Sequence, residues 1–106
     1  MKKTYKMPRI LKIAAVKGFN ITCIFNNGET RVLDFNELIN KWKITQKDSE
    51  FILFNENEFG KVTLRNQTLS WTNVQIELPD LKGNKLVHPY ELSPDLLYKE
   101  SHPLKN

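Results

Sequence analysis

Ile21-Thr22-Cys23-Ile24-Phe25-Asn26-Asn27-Gly28-Glu29-Thr30-Arg31-Val32-Leu33 sets two apolar-rich runs on either side of Asn27-Gly28. Asparagine and glycine both accept positive φ, which a type I′ turn demands at its two central residues. An Asn-Gly pair between such runs is the strongest short-range hairpin signal a sequence carries. A two-residue turn sets Phe25 opposite Thr30, Cys23 opposite Val32 and Ile21 opposite Asp34, with Ile24 and Thr22 facing Arg31 and Leu33. Directly opposed residues share a face. Ile21, Cys23, Phe25 and Val32 then form one apolar face, and the other is mixed. That is the pattern of an antiparallel sheet with one side on a core.

Upstream, Ile10 to Val16 reads as a first strand, entered after Pro8 and left at Gly18. Downstream, Asp34 is placed to cap a helix over about Phe35 to Lys43, with Glu37 three residues on as in a capping box. Leu38, Ile39 and Trp42 fall at helical spacing and predict one buried stripe. Residues 44 to 60 mix Phe51, Phe54 and Phe59 with acids and read as a short helix or irregular loop ending at Gly60.

A second hairpin follows. With Asn66-Gln67 as its turn, Leu64 opposes Leu69 and Val62 opposes Trp71. Gln67 stands where glycine is favoured and carries a positive-φ penalty. Val74, Ile76 and Leu78 alternate into another strand. Pro79 to Lys85 turns, and Leu86-Val87 returns as a short edge strand ended by His88-Pro89. The last element is the most explicit: Ser93 as N-cap, Pro94 at the first helical position and Asp95 at the positive end of the helix dipole. Leu92 and Leu97 are spaced for a hydrophobic staple, and the helix should run to about Glu100.

The expected fold is therefore α+β: a small antiparallel sheet of hairpins packed with two short helices in a single domain over residues 8–100. Residues 1–7 read as a flexible basic lead and 101–106 as a flexible tail. A length of 106 residues suits one modest core.

Net charge is +4, and its distribution is uneven. The first twenty residues carry Lys2, Lys3, Lys6, Arg9, Lys12 and Lys17 and no acid, so the rest of the chain is slightly acidic. Lys2, Lys3, Lys6 and Arg9 are candidate contacts for nucleic-acid phosphates or a partner; a solvated tail is the competing reading. The opening Met1-Lys2-Lys3 is followed by an apolar segment broken by Arg9, Lys12 and Lys17, a pattern that reads against a secretory signal. No run reaches bilayer-spanning length. The expectation is a cytoplasmic protein with no membrane partner.

Chemistry-bearing patterns are sparse. The single cysteine, Cys23, lies inside a strand and reads as an inert buried thiol. Four glycines are too dispersed for a phosphate loop. His88 and His102 each precede a proline and lack metal-ligand spacing. No serine sits in a nucleophile elbow, and Glu56 with Glu58 reads as surface charge. No catalytic, cofactor or metal residue is assigned. Phe19 and Phe25 read as core, although with Tyr5 they lie near basic residues as in single-strand binders.

The ordered landmarks are Pro8-Arg9-Ile10, Phe25-Asn26-Asn27-Gly28-Glu29, Val32-Leu33-Asp34, Phe51 and Phe59, Leu69-Ser70-Trp71, and Leu92-Ser93-Pro94-Asp95-Leu96-Leu97-Tyr98. Over residues 8 to 98 this order resembles the small bacterial domain catalogued as domain of unknown function 2442. The chain departs from that pattern at Thr72 to Glu91, where room for an extra hairpin intervenes. The resemblance implies a compact α+β fold, no established enzymatic activity, and a gene often paired with that of a second small protein, as in toxin–antitoxin modules. Three functional expectations follow. The first is a non-catalytic interaction module binding a small protein partner encoded by an adjacent gene. The alternatives are a nucleic-acid-binding accessory protein using the basic N-terminal segment, and a small hydrolase. A homodimer through the Val74 to Leu78 edge is also open.

Overall fold

A computed structural model describes residues 7–45 and 47–104. Two small antiparallel sheets pack with three short α-helices into an α+β domain. The first sheet has the order β1-β2-β3-β7, from β1 (Ile10–Lys17), β2 (Asn20–Phe25), β3 (Thr30–Asp34) and β7 (His102–Pro103). The second has the order β4-β5-β6, from β4 (Thr63–Arg65), β5 (Thr68–Pro79) and β6 (Lys85–Glu91). Helices α1 (Phe35–Lys41), α2 (Glu56–Phe59) and α3 (Pro94–Glu100) and a 3₁₀ helix over Ser49–Phe54 complete the chain. The hairpins sort into two sheets rather than one, and residues 44–60 supply a third helix.

The Asn27-Gly28 hairpin forms, but in a different register. Ile24 pairs with Thr30, Cys23 with Arg31, Thr22 with Val32, and Ile21 with Leu33. Only Gly28 of the pair has positive φ, at 88°. Its N–H donates to the Phe25 carbonyl at 3.0 Å, while the Phe25 N–H reaches Glu29 at 2.9 Å. This is a three-residue loop, a type I turn closed by a left-handed glycine, not a type I′ turn. The one-residue slip flips every side chain of β3. Leu33, not Val32, joins Ile21, Cys23 and Phe25 in the core, where all four are fully buried. The two-residue turn would set the Asp34 carboxylate opposite Ile21 on the buried face, a costly position for a charge. The observed register leaves Asp34 at the strand end, where Oδ1 accepts from the N–H groups of Asn36 and Glu37 and caps α1.

The second hairpin keeps its expected register, with Leu64 opposite Leu69. Asn66 and Gln67 hold φ of 54° and 60°, so this is the type I′ turn, built without glycine. The Gln67 carbonyl accepts the Ile10 N–H at 2.8 Å, which ties the two sheets together.

Aromatic rings fill the space between sheets and helices. Phe35 lies 5.1 Å from Phe59 and 5.7 Å from Trp71, and Phe59 lies 5.7 Å from Trp71. The buried Trp71 Nε1–H donates to the Phe59 carbonyl at 2.8 Å. Leu38 and Ile39 of α1 are buried as the stripe predicts, and Trp42 sits edge-on to Phe35 at 6.4 Å. Helix α1 ends at Lys41, because Lys43 (φ 55°) and Ile44 fold their N–H groups back onto Asn40 and Ile39. Helix α3 begins at Pro94 after Ser93, with Leu92 and Leu97 buried. Residues 101–103, assigned from the sequence to the tail, add a strand to the first sheet, and Ser101 is buried.

Strand β6 runs through His88-Pro89 to Glu91 rather than ending there. Asp80 and Asn84 form a hydrogen-bonded pair, so the alternating pairs Pro79/Lys85, Glu77/Val87 and Gln75/Pro89 are non-hydrogen-bonded. Both prolines thus occupy positions whose missing N–H points away from the ladder, the place where an edge strand tolerates proline.

The two turns predict opposite responses. Gln67→Gly should raise stability by about 0.5–1 kcal/mol by relieving the left-handed strain. Gly28→Ala should lower it by about 1 kcal/mol, purely through φ, because an added Cβ there meets nothing within 4 Å. Urea unfolding midpoints check both signs.

Candidate functional site

The candidate contacts Lys2, Lys3 and Lys6, and likewise Tyr5, lie outside the described residues. Arg9 is half-buried, and its Nη1 donates to the Pro8 carbonyl at 2.7 Å. Its backbone is strapped to the first hairpin. The Arg9 N–H donates to Asn26 Oδ1, the Asn26 N–H donates to the Arg9 carbonyl, and Asn26 Nδ2 reaches the Met7 carbonyl. Arg9 lines an open cleft of about 510 Å³ together with Met7, Asn66, Glu91, Ser93 and Asp95. Among the described residues, Arg9 shares that cleft with two carboxylates, Glu91 and Asp95. Phe25 is fully buried, and Phe19 packs on Phe59 at 5.2 Å, so neither ring is presented as a stacking platform.

Cys23 is buried, and loss of hydration pushes its thiol up to about 12, which keeps it protonated and unreactive. Among the described residues no three His, Cys, Asp or Glu side chains gather as a metal site would require. His88 is exposed on β6, and His102 Nε2 lies 4.0 Å from Glu37. No described helix is long and apolar enough to cross a membrane.

The densest polar constellation was not legible in the sequence. It joins the first hairpin loop to α3 across some 70 residues of chain. The Tyr98 hydroxyl donates to Glu29, as does Asn27 Nδ2. Arg31 Nη1 pairs with Glu29 at 3.0 Å, Nη2 donates to the Ser101 carbonyl at 2.9 Å, and the guanidinium lies 4.4 Å over the Tyr98 ring. Ser101 Oγ donates to the Tyr98 carbonyl, and the Tyr98 ring meets Phe25 edge-on at 5.1 Å. The Tyr98 hydroxyl above all, then Asn27 and Arg31, hold the Glu29 carboxyl below its ordinary value against the opposing pull of lost hydration. The donors and acceptors satisfy one another, which suits a clasp holding α3 on the sheet. The two landmarks Asn27-Gly28-Glu29 and Leu97-Tyr98 thus meet in space.

The remaining prominent surface lies on β5 and β6. Strand β4 covers β5 only up to Ser70, and pairing of β5 with β6 shifts between Trp71 and Gln75. Beyond that shift the two strands continue as a ribbon with no third strand beside it among the described residues. Leu81 at its tip is 107% exposed, Val87 56% and Leu86 46%. Strand alternation puts Leu86, His88, Tyr90 and Leu92 on one face, with Ile76 opposite His88. That face leads into a cleft of about 450 Å³ lined by Trp42, Ile44, Tyr90, Leu92 and Leu96, with Lys43 and Asp48 at its walls. A two-stranded ribbon alone is marginal in water. Comparisons with protein-family models, with curated proteins and with solved structures find no match.

The clasp makes a pH prediction. The Glu29 carboxyl titrates below the ordinary 4.5, so its contribution to stability is present above about pH 4.5 and fades as pH falls through the lowered value. Tyr98→Phe removes the largest cause of that lowering. Its urea midpoint should therefore decline less steeply than that of the wild type between about pH 5 and 3. Parallel declines would contradict the assignment.

Proposed function

We propose that this protein is a non-catalytic interaction module that binds a small protein partner, encoded beside it as the resemblance to domain of unknown function 2442 implies, in a toxin–antitoxin-like pair. The observation that carries this reading is the β5–β6 ribbon, whose Leu81, Leu86 and Val87 are exposed and whose Tyr90 lines an aromatic cleft. Exposed apolar side chains beside an aromatic cleft suit an interaction site, and hot spots favour Trp and Tyr anchors, a role that the half-buried Trp42 and Tyr90 fit. The ribbon occupies Thr72 to Glu91, the segment by which the chain departs from the family pattern, so partner choice resides in the part particular to this chain. The half-buried Arg9, which shares its cleft with Glu91 and Asp95, gives the nucleic-acid alternative no support from the described residues.

Co-expression with the product of the adjacent gene should yield a complex that survives gel filtration at micromolar concentration. Leu86→Glu, at a position already 46% exposed, should weaken it at least about tenfold with the fold intact. Separate elution of the two wild-type proteins would refute the reading.

A further inference from the structure

The ribbon and the cleft fit one another, and this points to a specific occupant. The exposed tip carries Leu81 between Asp80 and Lys82. The cleft at the ribbon's base is lined by Trp42, Ile44, Tyr90, Leu92 and Leu96 together with Lys43 and Asp48. Each therefore sets one acid and one base beside apolar side chains. Leu86, His88 and Tyr90 share the face between them, about 13 Å of strand. A tip cannot reach the cleft of its own chain, because the paired strands hold it at the far end of the ribbon.

We infer that two copies of this chain exchange ribbons about a two-fold axis near His88, each seating its Leu81 in the other's cleft. Antiparallel ribbons laid face to face bring each tip to the partner's base. Leu86 of one copy then faces Tyr90 of the other, and Asp80 and Lys82 lie near the other copy's Lys43 and Asp48. The contact is isologous and closed, so it ends at a dimer and does not propagate into fibres. It uses the face of the ribbon rather than its edge. Pro79 and Pro89 each remove an outward N–H from the ribbon edges, a device that discourages strand addition. The Val74 to Leu78 edge is further compromised because Val74 is buried. The inference rests on the ribbon being the interaction surface and names its occupant when no other protein is present.

Sedimentation of the purified chain at about 100 µM should give twice the chain mass. Leu81→Asp, at a side chain 107% exposed, should give the monomer, with a urea midpoint equal to that of the wild type diluted below its dissociation constant. Lys82→Glu should raise the dissociation constant several-fold and reduce its dependence on salt, since it sets a like charge beside Asp48. Mixing L81C with L96C chains under oxidising conditions should yield a disulfide between copies, with Cys23 too buried to compete. A wild-type monomer at that concentration, or a dimer that Leu81→Asp leaves intact, overturns the exchange. A monomer that still captures the adjacent gene's product through Leu86 overturns the dimer alone; a Leu81-dependent dimer that ignores that product supports the exchange and refutes the partner reading.

Discussion

The hydrogen bond from Trp71 Nε1 to the Phe59 carbonyl, 2.8 Å long and fully buried, fixes the centre of this protein. An indole buries roughly 150–250 Å², worth about 4–6 kcal/mol at ordinary transfer values, but only if its N–H finds a partner. Phe59 provides that partner from the end of a four-residue helix. Its ring also touches Phe19, Phe35 and Trp71. Strand β5, helix α1 and the turn before β2 are thereby held around one aromatic cluster. The short α2 has little stability of its own and owes its place to this packing.

Around that centre, polar ties set the relative position of the layers. The Ile10 N–H to Gln67 carbonyl bond joins the two sheets, and the Asn26 side chain straps residues 7–9 to the first hairpin. The Glu29–Tyr98–Arg31–Ser101 clasp fixes α3 and lets residues 102–103 extend the sheet. Lys41 and Glu100, 2.6 Å apart, link α1 to α3. The same accounting explains why the ribbon projects. After the shift between Trp71 and Gln75, β5 pairs with β6 alone among the described strands, and Leu81, Leu86 and Val87 are exposed.

Local devices were legible because their causes are local. Asp34 caps α1 through a short side chain that reaches the next N–H groups. Ser93 stands at the N-cap position of α3 without a side-chain cap bond, Pro94 begins the helix, and Leu92 and Leu97 are both buried. The Asn66-Gln67 register could be read despite weak turn chemistry, because Leu64 and Leu69 match only one pairing. The first hairpin misled for the opposite reason. Asn27-Gly28 fits a two-residue and a three-residue loop equally well, and the difference is one residue of register. Burying Leu33 while freeing Asp34 for α1 selects between them, and both are consequences of packing.

The sequence by itself determined the α+β class, the Asn66-Gln67 turn, the Asp34 cap of α1, and the buried, inert character of Cys23. Each depends on φ preferences, hydrogen bonds within four residues, or strand alternation. Tertiary structure alone decided the division into two sheets, the register of β3, the union of Glu29 with Tyr98, and the projection of Leu81 from a ribbon whose base opens into an aromatic cleft. Those features join residues tens of positions apart, and only the competition among all buried side chains for one core sets which of them meet.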